Sequence, residues 1–191
     1  MCRENKLDSK LDTKQRIAAA LRQLMQERPL RKITVQDLME RTQMKRQSFY
    51  YHFQDIRDVL VWICTQQLML PMQARTDLCF EDWLMAALRI LSEDRGFYRR
   101  VMAFADPPIL TAFCAELVQP RIAQLLFPGQ DPSRLSDRQR FAVDFGTQAL
   151  ASQVQNFLNS RSDPDEEEIR ARLRFLLNTL HLDGTRPPQA E

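Results

Sequence analysis

Four consecutive residues, Lys45-Arg46-Gln47-Ser48, present an ammonium, a guanidinium, an amide and a hydroxyl, and Tyr50-Tyr51-His52 follow within one further helical turn. An arginine can pair bidentately with a guanine edge and a glutamine with an adenine edge. Tyrosine and histidine donors carry little flexible length, which suits phosphate contacts that set register. At the start of a helix, free backbone N–H groups and the helix dipole also favour an anion. This combination points to contact with duplex DNA. Blander readings stand beside it: Lys45 as a solvated charge, His52 as a capping or core histidine, and one ring of the Tyr50-Tyr51 pair turned to the core. Phe49 and Phe53 read as core.

Other chemistries find less support. The cysteines Cys2, Cys64, Cys79 and Cys114 form no CxxC pair, and the only histidines are His52 and His181, so a zinc site is not expected. The thiols read as reduced core side chains, with redox sensing as the alternative. Asp165-Glu166-Glu167-Glu168 reads as a helix start rather than a metal site. No spacing ties His181 to a nucleophile, so no catalytic set and no cofactor is expected. Hydrophobic residues are 44% and charged residues 27% of 191, with only 4 Gly, which argues against Gly-rich phosphate loops and hairpin-dense β folds. The longest apolar run, Val59 to Cys64, is far short of a membrane span, and the first residues lack an apolar signal core. A soluble, cytoplasmic protein is expected. Residues 1–53 carry 12 Lys and Arg against 6 Asp and Glu, whereas the remainder carries 15 against 19. A basic end on an acidic body suits docking onto a polyanion.

Helical periodicity runs through the chain, and no strand pattern or repeat is found: the fold class is all-α. A first helix is expected over about Thr13 to Arg28, opened by a capping box of Asp12 and Gln15, after a flexible basic arm over 1–12. Thr34 with Asp37 caps a short helix, Val35 to Arg41, and after the turn Thr42-Gln43-Met44 a third follows, about Lys45 to His52. Two short helices joined by a tight turn make a helix-turn-helix, pinned by Leu38, Met44 and Phe49. The fourth helix, capped by Asp55 with Asp58, is expected to end at Pro71. Helices follow over Phe80–Leu91, Gly96–Ala105, Ile109–Val118 and Arg121–Phe127. Ser136 with Gln139 opens a long helix to about Asn159, apolar on more than one face. Asp163-Pro164 starts the last, with Ile169, Leu173, Leu176, Leu177 and Leu180 on one stripe. The expected division is a helix-turn-helix domain over 13–65 (motif 34–53), a second domain over 66–182 and a flexible tail over 183–191.

The run Ile33-Thr34-Val35 leading to Phe49-Tyr50-Tyr51-His52-Phe53, after an amphipathic helix, resembles the N-terminal domain of TetR-family transcriptional regulators. Arg46 through Asp55 is particularly similar to the branch containing regulators of dihydroxyacetone kinase operons. Gly146, Phe157 and Asp163-Pro164 echo the same branch. The resemblance implies that Thr34 caps its helix close to a phosphate. It places Arg46, Gln47 and Ser48 at bases or flanking phosphates, with Tyr50, Tyr51 and His52 on the backbone. Two positions depart from the pattern: Gln43 stands where Gly is usual in the turn, and Ile56 where Lys is usual. By resemblance, residues 66–182 would bind a small-molecule effector or partner and form a homodimer through a four-helix bundle, with Phe145, Leu150, Val154, Phe157, Leu173, Leu176, Leu177 and Leu180 at the interface. A ligand cavity is expected among some of Trp62, Trp83, Phe97, Tyr98, Met102, Phe104 and Phe113, with Arg99 and Arg100 as polar contacts, while each of these apolar side chains taken singly reads more readily as plain core. Two other classes compete: a helical protein–protein interaction module that has lost DNA specificity, and a small all-α enzyme.

Overall fold

The computed structural model describes residues 4–104, 114–160 and 165–180, with side chains over 11–103, 115–160 and 165–180. All regular structure among the described residues is helical. The elements are α1 (Glu4–Glu27), α2 (Val35–Thr42), α3 (Arg46–His52), α4 (Ile56–Cys64), α5 (Leu70–Gln73), α6 (Phe80–Glu93), α7 (Arg95–Phe104), α8 (Gln119–Leu126), α9 (Asp137–Asn159) and α10 (Glu166–Thr179). Short 3₁₀ turns occupy Leu30–Lys32 and Pro132–Arg134, and π-helical turns Thr65–Met69 and Cys114–Val118. No described helix is long and apolar enough to cross a membrane, and no cluster of three metal-ligating side chains occurs among the described residues.

Helix α1 buries Ile17, Leu21, Leu24 and Met25 and packs against α2, α3, α4 and α7. It begins nine residues before the expected start at Thr13. Residues 4–12 contain neither Gly nor Pro, so a helix nucleated by the packed segment propagates backward through them. The expected capping box of Asp12 and Gln15 thus lies inside the helix, and the expected arm is, from Glu4 on, part of α1.

Pro71 does not end the fourth helix. The chain passes from α4 through the π turn into α5, with the Leu70 N–H donating to the Thr65 carbonyl. The proline ring clashes with the carbonyl four residues earlier in a regular α-helix, and a wider turn relieves that clash. The helical path therefore crosses residues 65 and 66 without a break, and one apolar core runs from Ile17 to Leu158 through both halves. A second cluster, Ile122, Ala123, Leu135 and Val143, lies between α8 and α9.

Polar groups join the helices at defined points. Arg22 on α1 donates to Gln67 in the π turn and to Asp94 before α7, with its guanidinium 4.4 Å from the centre of the Phe97 ring. Arg95 caps the end of α9 through the carbonyls of Phe157 and Leu158. Arg170 on α10 reaches Glu81 at 2.8 Å and Asp82 at 2.9 Å on α6, and Arg174 also bonds Glu81. Arg89 on α6 closes the network on Glu166 at 2.7 Å. The Arg174 and Arg170 guanidiniums hold the Glu81 carboxyl below its ordinary value, against the opposing effect of burial.

The capping box of Ser136 and Gln139 forms as expected at the head of α9. The last helix starts later than expected: Asp165 is its cap, accepting from the Glu167 N–H. Asp163 and Pro164 lie outside the described residues, as do Ile109, Phe113, His181 and the tail over 183–191.

Candidate nucleic-acid interface

Helix α3 is positioned from behind. Thr34 Oγ1 accepts from the Asp37 N–H at 3.2 Å, and an Asp37 carboxylate oxygen accepts from the Thr34 N–H and hydroxyl, each at 2.7 Å. The Thr34 hydroxyl and amide, with Arg28 adding to them, hold the Asp37 carboxyl below its ordinary value. This closed box fixes where α2 begins, while Leu38 and Met39 bury its inner face.

The turn after α2 needs one left-handed residue, and Gln43 takes it, with φ 56 and ψ 31. The Met44 N–H then reaches the Met39 carbonyl at 3.1 Å, the long-range bond of a Schellman end. The turn that usually holds Gly thus forms with Gln, at the steric cost of a Cβ in the left-handed region. Met44 packs against the core beyond it.

In α3, Phe49 is fully buried and Phe53 nearly so, four residues apart on one face. With those two anchors inside, the opposite face turns out. Lys45, Arg46 and Gln47 are exposed, Ser48 and His52 half-buried. Tyr50 and Tyr51 are 51% and 64% exposed. The expectation that one tyrosine ring turns to the core is corrected: the two phenylalanines already fill that side. Arg46 donates to the Tyr50 hydroxyl at 3.2 Å, and Tyr51 meets His52 edge-on at 4.9 Å. Lys45 precedes α3 with no side-chain cap of its own, so it leaves the first turn of the helix open. Ile56 is half-buried against the core, and Asp55 caps α4 through the Asp58 N–H at 2.9 Å. All eight expected contact residues, from Thr34 through His52, therefore belong to one α2–turn–α3 unit.

Of the residues named for a cavity, the described ones take the plain-core reading that stood beside it. Trp83, Phe97 and Tyr98 are core side chains, and Trp62 and Met102 pack partly against the same core. Trp83 stacks on Phe80 at 6.1 Å beneath Arg121, and its indole N–H is buried without an acceptor. Arg99 is exposed and Arg100 lines a cleft facing the end of α1. The side chains of Phe104 and Phe113 lie outside the described residues. Among the thiols, burial pushes Cys64 up to about 12. Cys79 is exposed, contrary to expectation, because it starts α6 and donates to Asp82. The side chains of Cys2 and Cys114 are outside the described residues.

At the other end, α9 and α10 divide their apolar residues between two faces. Leu150, Val154, Phe157 and Leu173 are half-buried and pack in part against this chain's own core, and Leu177 is half-buried. Phe141, Phe145 and Phe175 are 71%, 71% and 74% exposed, and Leu176 and Leu180 are also exposed. Phe141 and Phe145 stack on each other at 6.5 Å. Phe175 escaped the sequence reading because it lies off the leucine stripe. An aromatic on an otherwise polar helix face was the available signal.

Residues 17–61 match the model of bacterial regulatory proteins of the tetR family. Over 90 residues the chain is 31% identical to the HTH-type dhaKLM operon transcriptional activator DhaS of Lactococcus lactis subsp. lactis (strain IL1403). That match covers 47% of this chain and 48% of the relative, about half its length. Two solved structures share the fold, each at 22% identity. The dihydroxyacetone kinase operon activator DhaS superposes with a TM-score of 0.65 over 88% of this chain and 95% of its own. A TetR transcriptional regulator from Streptococcus agalactiae 2603V superposes with a TM-score of 0.68 over 93% and 98%.

Proposed function

We propose that the chain is a transcriptional regulator of the tetR family, whose model its residues 17–61 match, and that it binds a palindromic operator as a homodimer, its affinity set by a small-molecule effector or partner. The family is one of regulators, not enzymes. The observation that carries the reading is the outward face of α3, where Lys45, Arg46, Gln47 and Ser48 stand on a helix locked from behind by Phe49 and Phe53. Arg46 and Gln47 are assigned to base edges, Lys45 and Ser48 to bases or flanking phosphates. Tyr50, Tyr51, His52 and the Thr34 cap are assigned to the backbone.

The homodimer draws on the exposed Phe141, Phe145, Phe175, Leu176 and Leu180, an apolar area that one chain leaves uncovered. Two such faces together make a four-helix bundle and set two α3 helices about 34 Å apart, one helical turn of DNA. The effector reading draws on the Trp83 indole N–H, a buried donor that an acceptor on a ligand would satisfy.

Selection of binding sites from a random-sequence duplex library tests the proposal, with the selected site re-measured at two salt concentrations. A two-fold consensus whose affinity falls steeply with salt is the expected result. Weak, sequence-blind binding would replace it with the interaction-module reading, which now draws on Ile56 alone, since Gln43 preserves the turn. The relative named as an activator of a dihydroxyacetone kinase operon makes the promoter of such an operon the first to search for the consensus.

A further inference from the structure

Between the DNA-binding unit and α7 lies a cleft of about 450 Å³, within the range of small-molecule sites. Met25 and Leu30 give it an apolar floor, and Ala103 closes one side. Its charge is one-sided. Arg28 and Arg31 line it from the end of α1 and the following turn, and Arg100 lines it from α7. The carboxylate among the lining residues, Glu27, is taken by Arg41 at 2.8 Å. Arg28 is held through one Nη by Asp37 at 2.8 Å, but its Nε–H is buried with no acceptor. Arg31 and Arg100 have no carboxylate partner among the described residues.

Three guanidiniums line one concave site and only Arg28 has a carboxylate partner, so Arg31 and Arg100 leave an excess of positive charge there, which is a standing electrostatic cost. A doubly charged oxyanion offsets that excess, because arginine's planar fork matches phosphate and carboxylate oxygens. We propose that this cleft is a binding site for a small organic anion, a phosphate or carboxylate head on a short apolar body that rests on Met25 and Leu30. Such a ligand touches the DNA-binding unit and α7 at once, so it couples their relative placement to its own binding. The site is separate from the surroundings of Trp83. A DNA backbone is the poorer occupant, since a phosphodiester has no use for the apolar floor.

The test is a calorimetric titration of the full chain with phenyl phosphate at constant ionic strength, with benzyl alcohol as the neutral control. Saturable binding of phenyl phosphate alone is expected, weakened about tenfold by Arg31→Gln and again by Arg100→Gln. Absence of saturation, or equal binding by wild type and the double variant, overturns the proposal. The double variant is also measured on the duplex selected from the random library. Lost duplex affinity with a shallower salt dependence, alongside a flat phenyl phosphate titration, would make the cleft a DNA-backbone contact and end the proposal. Failure to select any duplex would remove the DNA-binding reading and leave the titration to decide the anion site by itself.

Discussion

Gln43 and Gln47 are the same residue type four positions apart, and their surroundings give them opposite roles. Gln43 sits at φ 56, where a Cβ is strained, and its place is set by the hydrogen bonds of the turn. Replacing it with Gly removes the steric penalty of the left-handed region but adds unfolded-state entropy, so Gln43→Gly should stabilise the chain by about 0.5–1 kcal/mol. Thermal or denaturant unfolding checks this, and a loss of stability would sink the idea. Gln47 makes no burial and stands on the exposed face of α3. Under the proposed function, Gln47→Ala should relax one operator position, costing about 1–3 kcal/mol of discrimination there with stability unchanged. Comparing wild-type and variant consensus sequences reads this out.

At the scale of elements, α2 and α10 are both held by carboxylates whose protonation would release them. Asp37 closes the box at the head of α2, and the Thr34 groups that donate to it keep its carboxyl lower in the folded chain than its ordinary 3.8. A carboxyl lowered by folding contributes stability that is complete above its unfolded value and lost as pH falls through the folded one. Thr34→Ala should therefore cost about 1 kcal/mol near neutral pH. The difference from wild type should shrink below pH 3.8, which unfolding curves at two pH values would show. Glu81 works in the same direction between α6 and α10, under Arg174 and Arg170, from an ordinary value of 4.5. Glu81→Gln should loosen α10 at neutral pH and matter less in acid. Hydrogen exchange over Glu166–Thr179 is the measurement; equal protection in both proteins at pH 7 would refute it.

Across the whole molecule, one core passes from the helix-turn-helix unit into the body, and Arg22 ties α1 to both Gln67 and Asp94 at the junction. The apolar residues that this core does not use gather on the outer face of α9 and α10. If the chain forms the proposed homodimer, Phe145→Asp with Phe175→Asp should yield a folded monomer, because both rings are mostly exposed in the single chain and neither holds its core. Sedimentation would reveal the change in mass. Under the proposed function, the monomer should also lose steep operator binding, since each half-site alone carries fewer phosphate contacts. A double variant that stays dimeric would place the interface elsewhere.

The all-α class, the caps at Thr34, Asp55 and Ser136, and the donor face of α3 were legible in the residues alone, because each depends on neighbours within about a turn of helix. Resemblance across the stretch from Ile33 to Asp55 pointed to the family whose model residues 17–61 match. What stayed hidden depends on partners distant in the chain. Both tyrosines face outward because Phe49 and Phe53 had already filled the inner side. The fourth helix outlasts Pro71 because a π turn admits the ring. Leu150, Val154, Phe157 and Leu173 went inward while Phe141 and Phe175 went outward, although periodicity makes all of them apolar helix residues. Local pattern sets which segments are helices and, where a cap closes as at Thr34, Asp55 and Ser136, where they start; which of their apolar faces meets the core is decided by the helices that arrive beside them.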